Sequence, residues 1–563
     1  MAIKAITIQN FKGIAEAIRV ELRPITLLFG ANSAGKSTVL QALLYAREIL
    51  ARRNTDPDLT QLGGDYVDLG GFRNLVHNHE PNLHVTLCFD LDLSGVDLVD
   101  YAELPQRRVS PASSKTDAGA TPERESPEDE AEPTANYLDR LSAEATTASV
   151  LLTVLWSEIA DAPVQADYEI GVNGMPAARG RTDPAAVAST VVEFNALHPW
   201  FYGPEEPDDH GSGVERGNTV DLITSNASDW HRLKPLDLGT RSVAGRPLET
   251  LFDEIAAVLS QLDLEEFDEV LPFVLLAPGR YLLRQLNALR YLGPIREVPP
   301  RTHLPALSPD ASRWANGLGA WDWIQLASRE QLADLNAWLT REDRLNTGYR
   351  VDVKRFKELN TDSMLMLALM DSAEMLDNYP AIKEQLDALP VKARVVLRQE
   401  ADFLEVSPQD VGIGISQVIP VVVSALDTGD RLTVIEQPEL HIHPAIQVAL
   451  GDLFIQSARP ENGSSGPHFL IETHSEHLLL RLLRRIRETS RGEAPKDRQL
   501  TPEQVAVYFV EATRQGTVIR PLALDDRGGF QERWPKGFFE EREEEIFGPR
   551  QDLKDEIKKA FGE

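Results

Sequence analysis

PITLLFGANSAGKSTVLQALLYAREIL, residues 24–50, is the stretch that decides the fold. Residues 24–29 form a continuous apolar run, as expected of a strand buried in a parallel sheet. From Ser37 onward Val39, Leu40, Leu43, Leu44, Ile49 and Leu50 recur at helical spacing. Between strand and helix, Gly30 to Ser37 fits G-x-x-x-x-G-K-[ST] in full, in the structural context that motif requires. The loop's backbone N–H groups and the helix N-terminus then face phosphates, and glycine lets the backbone wrap closely. Lys36 reaches the β- and γ-phosphates, the Ser37 hydroxyl ligates Mg²⁺, and Thr38 is in reach of the α-phosphate. The nucleotide-binding set is Gly30, Asn32, Ser33, Ala34, Gly35, Lys36, Ser37 and Thr38.

A triphosphatase of this kind also needs a strand ending in a carboxylate on the metal side. Leu432-Thr-Val-Ile435-Glu436 supplies it, so Ser37 and Glu436 are the metal-side pair. Gln437 follows, where a general-base glutamate is often found. An amide orients water but cannot take its proton. Either hydrolysis is slow, or Glu439 or another acid does the work. His441 and His443 form an H-x-H pair, but no third ligand at suitable spacing is evident, and zinc is the minor reading. The stretch Asp410-Val-Gly412-Ile-Gly414-Ile-Ser416-Gln417 leads into an apolar helix. Gly414, Ser416 and Gln417 form a second anion site there, with a plain strand–helix turn as the alternative. Phe469-Leu-Ile-Glu472-Thr473-His474 ends another apolar strand, which aims His474 into the ligand crevice of an α/β sheet.

These residues resemble the ABC-type ATPase heads of SMC proteins, RecF-like repair ATPases and the overcoming-lysogenization-defect (OLD) ATPases. The opening IxxIxIxNFKG, the loop Gly30–Ser37, VGIGISQ, IEQPELHIHP and ETHSEHLL occur in family order. YLGPIRE (residues 291–297) and WPKGFF (534–539) are similar to a bacterial OLD-like group with an uncharacterised C-terminal domain, often found in phage-defence loci. The resemblance implies an α/β P-loop ATPase head, a mixed sheet with flanking helices, binding ATP and Mg²⁺. It makes Lys36 and Ser37 the Walker A pair, Glu436 the Walker B acid, Ser416 and Gln417 part of the signature, and His474 the switch histidine. Glu436, Gln437, Glu439 and His474 are thus the catalytic candidates. It also implies an ATP-sandwich homodimer or higher oligomer, and a separate effector such as a nuclease or toxin. The signature departs from L-S-G-G-Q, and Gln437 replaces the usual glutamate, which fits a slow switch. A RecF/SMC-like DNA-repair clamp is the alternative.

The 563 residues amount to about three to four domain equivalents. The motifs divide them into a first ATPase lobe (1–180), a large, mainly helical insertion (181–390), a second lobe (391–520) and a charged C-terminal segment (521–563). In the insertion, Leu251–Leu264 and Trp321–Leu339 have helical apolar spacing, and one short extended piece, 290–296, interrupts it. In the second lobe, strands at 431–435, 468–472 and 505–511 alternate with helices at 444–457 and 475–489. Arg481, Arg484 and Arg485 share one face of the last helix, which either meets phosphate or an acidic partner or is simply solvated. Residues 103–135 carry five prolines, eight acids and four bases, and read as a disordered insertion. Only 89 residues follow His474, and an OLD-type nuclease domain is not expected among them. The chain has 88 acids against 57 bases, a formal charge of −31. That argues against a broad DNA-coating or anionic-membrane surface and leaves a narrow nucleic-acid groove or a protein partner. The single cysteine, Cys88, excludes a disulfide framework. No signal peptide is evident and no apolar run approaches the ~20 residues of a membrane span, so a cytoplasmic protein with no membrane partner is expected.

Overall fold

The computed structural model describes residues 2–102, 133–183, 188–195, 198–201, 220–221, 264–301, 303, 305, 310–370, 379–427, 429–459 and 466–532. The first part of the chain holds β1 (Ile3–Gln9), β2 (Ile18–Glu21), β3 (Ile25–Gly30), α1 (Ser37–Arg52), β4 (Val85–Asp92) and α2 (Pro133–Glu144). Then follow β5 (Thr147–Ser157), β6 (Ala162–Val172), β7 (Met175–Asp183), β8 (Ala188–Phe194) and α3 (Leu264–Ala288). The middle contributes β9 (Arg290–Leu292), α4 (Leu318–Leu326), α5 (Arg329–Thr340), β10 (Tyr349–Phe356) and β11 (Lys392–Gln399). The last part holds α6 (Ile413–Leu426), β12 (Leu432–Glu436), α7 (Pro444–Ser457), β13 (His468–Glu472), α8 (Glu476–Ser490), β14 (Val505–Thr513) and β15 (Gly516–Pro521).

Two large sheets result. One is antiparallel and runs β8-β7-β6-β5-β4-β1-β2, with Val220–Asp221 added at the β8 edge. The other runs β9-β12-β13-β3-β14-β15; its first five strands are parallel and β15 is an antiparallel hairpin partner of β14. The fold is α/β, as the strand–loop–helix reading of residues 24–50 expects.

Why the parallel strands read as unbroken apolar runs is visible in where alternate side chains go. Ile25, Leu27 and Phe29 of β3 enter one core and Leu28 the other. Phe469 and Ile471 part from Leu470 in the same way, and Val505, Val507 and Phe509 part from Ala506, Tyr508 and Val510. The sheet is therefore covered on both faces, and each strand needs apolar residues at both periods. The first core takes in α1, α3 and the antiparallel sheet; the second takes in α4 to α8.

The middle of the chain departs from the expected pattern. Residues 181–390 are not uniformly helical: β8 and β10 lie within them, while the extended piece expected at 290–296 is present as β9, which joins the parallel sheet beside β12. The helical stretch expected from Trp321 to Leu339 is two helices. Ser328 accepts from the Gln331 N–H, and the Gln331 side chain accepts from the Ser328 N–H. This capping box starts α5 afresh. Most of the expected helix Leu251–Leu264, nearly all of the expected insertion 103–135 and the stretch WPKGFF lie outside the described residues.

Candidate functional site

The loop between β3 and α1 is shaped by two glycines pressed against the C-terminal hairpin. A Cβ on Gly30 would lie 2.2 Å from the Val510 carbonyl oxygen. Gly35 has φ +97°, and a Cβ there would lie 2.6 Å from Thr517 Oγ1. The Thr517 hydroxyl also donates to the Ala34 carbonyl at 3.2 Å. Only glycine fits both positions. Asn32 and Ser33 are exposed at the loop tip, Ala34 is buried, and the N–H of buried Thr38 donates to the Gly35 carbonyl at 3.1 Å.

Lys36 turns inward. Its ammonium donates to the carbonyls of Ala31 at 2.9 Å and Gly30 at 3.3 Å, and lies 3.7 Å from Glu472 Oε1. The residue is 4% exposed, and burial holds its pKa below the usual lysine value against the pull of Glu472, Glu439 and Glu436. Ser37 Oγ donates to Glu472 Oε2 at 2.6 Å.

The acids stand at the C-terminal ends of neighbouring parallel strands. Glu436 on β12 and Glu472 on β13 are register partners, and Glu472 is the register partner of Leu28 on β3. Burial, with the Glu472 charge adding to it, pushes Glu436 up to about 7, and burial raises Glu472. Tyr291, from β9 on the far side of β12, donates to Glu436 Oε1 at 2.7 Å. Gln437 sits in the left-handed region at φ 44°, and its N–H donates to the Glu472 carbonyl at 2.7 Å. Glu439 Oε1 accepts from the His474 N–H and Oε2 from the Thr473 hydroxyl, both at 2.7 Å. His474 Nε2 is buried with no hydrogen-bond partner. Burial, with help from Lys36, lowers that ring's pKa.

The signature residues lie in a different setting. Ser416 Oγ donates back to the Ile413 carbonyl at 2.9 Å, within its own helix. Gln417 holds the backbone of Arg296: its amide oxygen accepts from the Arg296 N–H at 3.2 Å and its amide nitrogen donates to the Arg296 carbonyl. Both side chains are buried. A Cβ on Gly414 would lie 2.7 Å from the His441 carbonyl oxygen, so this glycine lets α6 close onto the loop after β12. Gly412 has open space beside it and Ile413 is exposed.

Arg296 links the two parts. It is 1% exposed, and its Nη2 donates to the carbonyls of Glu436 at 2.6 Å and Gln437 at 3.2 Å. Burial pushes it down to about 10. The H-x-H pair does other work: His443 Nδ1 accepts from the Ala445 N–H and caps α7. Among the described residues, no group of three or more His, Cys, Asp or Glu is arranged to hold a metal ion, and no helix is long and apolar enough to cross a membrane.

The structure therefore gathers Lys36, Ser37, Glu436, Glu439 and His474, and keeps Ser416 and Gln417 inside the helix packing. Sequence reasoning missed Glu472 and Tyr291 as members of the site. Glu472 ends an apolar strand in the same way as Glu436 and was legible on that ground. Tyr291 depends on β9 lying beside β12, a pairing that local sequence does not carry. The residues present fit Mg²⁺ with a nucleotide. That ion takes one or two carboxylates and keeps phosphates and water as its other ligands. Ser37, Glu436 and Glu472 are such a set at a helix N-terminus.

Comparison with known proteins agrees with this geometry. Residues 1–118 match a family model described as "AAA ATPase domain", and residues 281–481 match one described as "AAA domain, putative AbiEii toxin, Type IV TA system". Residues 500–547 match "Protein of unknown function (DUF3696)". No curated protein matches the chain. Among solved structures, an SMC head bound to the C-winged helix domain of ScpA is 11% identical with a TM-score of 0.35, over 93% of this chain and 98% of that one. The SMC head domain from Thermotoga maritima is 7% identical with a TM-score of 0.34, over 93% and 99%. At those scores the likeness carries no argument. The two ATPase matches and the loop geometry do: residues 1–118 and 281–481 are each similar to an AAA domain model, in keeping with an α/β P-loop ATPase fold.

Proposed function

We propose that this chain binds ATP with Mg²⁺ at Gly30–Ser37, hydrolyses it slowly, and works as a nucleotide-dependent dimerising switch. The observation that carries the reading is the placement of Lys36 and Ser37 at the N-terminus of α1 against the buried Glu436 and Glu472, with the amide Gln437 next in line. Loop and first-turn N–H groups receive the phosphates, and Lys36 turns from its loop carbonyls to their oxygens. Mg²⁺, when bound, supplies charge neutralisation on the β- and γ-phosphates. Gln437 has no carboxylate to accept the proton of an attacking water. Glu439 already accepts from Thr473 and His474 with both oxygens. Turnover well below the ~10 s⁻¹ typical of enzymes follows.

The exposed tip of α6, Gly412 and Ile413, is the surface assigned to a second copy. A triphosphate touching both copies favours the closed dimer only while its γ-phosphate is present. Anti-phage defence with a separate effector is the setting we assign.

Phosphate release and light scattering with and without ATP test this. Lys36→Ala is expected to lose nucleotide binding, Glu436→Gln to stay dimeric with ATP, and wild type to release phosphate slowly. Tight ATP binding by Lys36→Ala removes the loop assignment. Equal background release from wild type and Glu436→Gln removes the ATPase. A mass unaffected by ATP removes the switch.

A further inference from the structure

The sequence offers Glu436 as the acid beside the nucleotide's metal ion, yet the hydroxyl that ligates such an ion points elsewhere. Ser37 Oγ donates to Glu472 Oε2 at 2.6 Å, and Lys36 Nζ lies 3.7 Å from Glu472 Oε1. We propose that Glu472 is the principal metal-side carboxylate of this site, fixing Ser37 and the Mg²⁺ of the bound nucleotide, with Glu436 as its outer neighbour. This rests on the ATP·Mg²⁺ reading above.

Strand order gives the reason. β13 lies directly beside β3, so the end of β13 is one strand spacing, ~4.8 Å, from the strand that feeds the loop. β12 lies one spacing further out. Tyr291 then draws the Glu436 carboxylate toward β9, the side away from the loop. Glu472 has no such competitor; its two oxygens face Ser37 and Lys36, the two side chains that handle phosphate and metal. Its backbone is braced as well: the Glu472 carbonyl accepts from the Gln437 N–H at 2.7 Å, and the Thr473 N–H donates to the Leu28 carbonyl at 3.1 Å. The same strand end carries Thr473 and His474, whose hydroxyl and N–H bind Glu439. A change in what Glu472 holds is thereby passed to the loop bearing Gln437 and Glu439.

The plainer role is a counter-ion that keeps Lys36 buried. The two roles separate in a metal titration. Mn²⁺ binding is measured by electron paramagnetic resonance in the presence of a non-hydrolysable ATP analogue, and analogue binding is measured separately in EDTA. For Glu472→Gln, Mn²⁺ affinity is expected to fall tenfold or more, with analogue affinity in EDTA equal to or tighter than wild type. Glu436→Gln is expected to lose less than Glu472→Gln. Mn²⁺ affinity within twofold of wild type for Glu472→Gln overturns the proposal, as does a larger loss in Glu436→Gln. A wild-type chain that binds no analogue overturns the ATP reading itself, which Lys36→Ala reports independently. A second measurement needs no variant: Fe²⁺ in place of Mg²⁺, with ascorbate and peroxide, is expected to cut the wild-type backbone near residues 471–474. Cutting near 436 alone overturns the proposal.

Discussion

Replacing Arg296 by Met removes a guanidinium that ties its own segment to the end of β12 and the loop after it, while keeping the stem's volume and the backbone bonds to Gln417. Arg296 Nη2 serves the carbonyls of Glu436 and Gln437, and its charge faces Glu436 and Glu439. Removing one partner from a buried charge cluster costs about 3–5 kcal/mol, a figure that already includes the orphaned acceptors. Against this, Arg296 Nε and Nη1 are buried without acceptors in the wild type, and relieving them returns about 1 kcal/mol each. The net loss is about 2 kcal/mol. For a unit of the size of the second lobe this lowers the melting temperature by roughly 4–8 °C. Arg296→Lys, which keeps the charge and loses the fork, is expected to fall between the two. Thermal unfolding followed by tryptophan fluorescence measures it. A shift under 1 °C for Arg296→Met would refute the reasoning, because the guanidinium would then be holding nothing.

Three further outcomes are expected. Glu436 titrates at about 7 in the folded chain against an ordinary value of 4.5, so the folded state binds more protons between those values and stability falls as pH rises through that window. Glu436→Gln should therefore melt higher than wild type at pH 8, by on the order of 3 kcal/mol at most, and equal to it at pH 4; a gain at low pH alone contradicts the sign. Gln437→Glu should raise phosphate release, and an unchanged rate places the base elsewhere. Asp452 accepts from Arg485 Nε at 2.7 Å and Nη2 at 2.8 Å, one bidentate edge of that guanidinium, and from Arg481 Nη1 at 2.5 Å, with its own side chain 3% exposed. Asp452→Asn should cost about 3–5 kcal/mol in denaturant unfolding; under 1 kcal/mol means the cluster is not braced through it. This also accounts for the arginines of α8: Arg481 and Arg485 are turned to Asp452 and Arg484 to Glu488, not to an outside anion.

Local chemistry made much of the site readable. The loop motif placed Lys36 and Ser37 at a helix N-terminus because glycine positions, lysine and hydroxyl occur at fixed offsets along one turn. Glu436 and His474 were visible as polar residues ending apolar strands. The helices α7 and α8 and the strands β12 to β14 followed from periodicity within a few residues. Ser328 and Gln331, which split one expected helix into two, were legible as a capping box and were overridden by the apolar spacing around them.

What local sequence did not carry was adjacency. Which strand lies beside β3 depends on long-range packing of two cores against one sheet. That order puts Glu472 rather than Glu436 on Ser37, and Tyr291 on Glu436. Gln417 likewise reads as part of a signature element; its burial against the Arg296 backbone comes from residues 121 positions apart meeting in the core. Residue types and their short-range spacing set the loop, the strand ends and the class of ligand, because those depend on backbone geometry within one turn. The pairing of Glu472 with Ser37 and Lys36, and of Arg296 with the carbonyls of Glu436 and Gln437, was decided only when distant strands stacked side by side, since contacts of 2.6–3.7 Å depend on strand order and register.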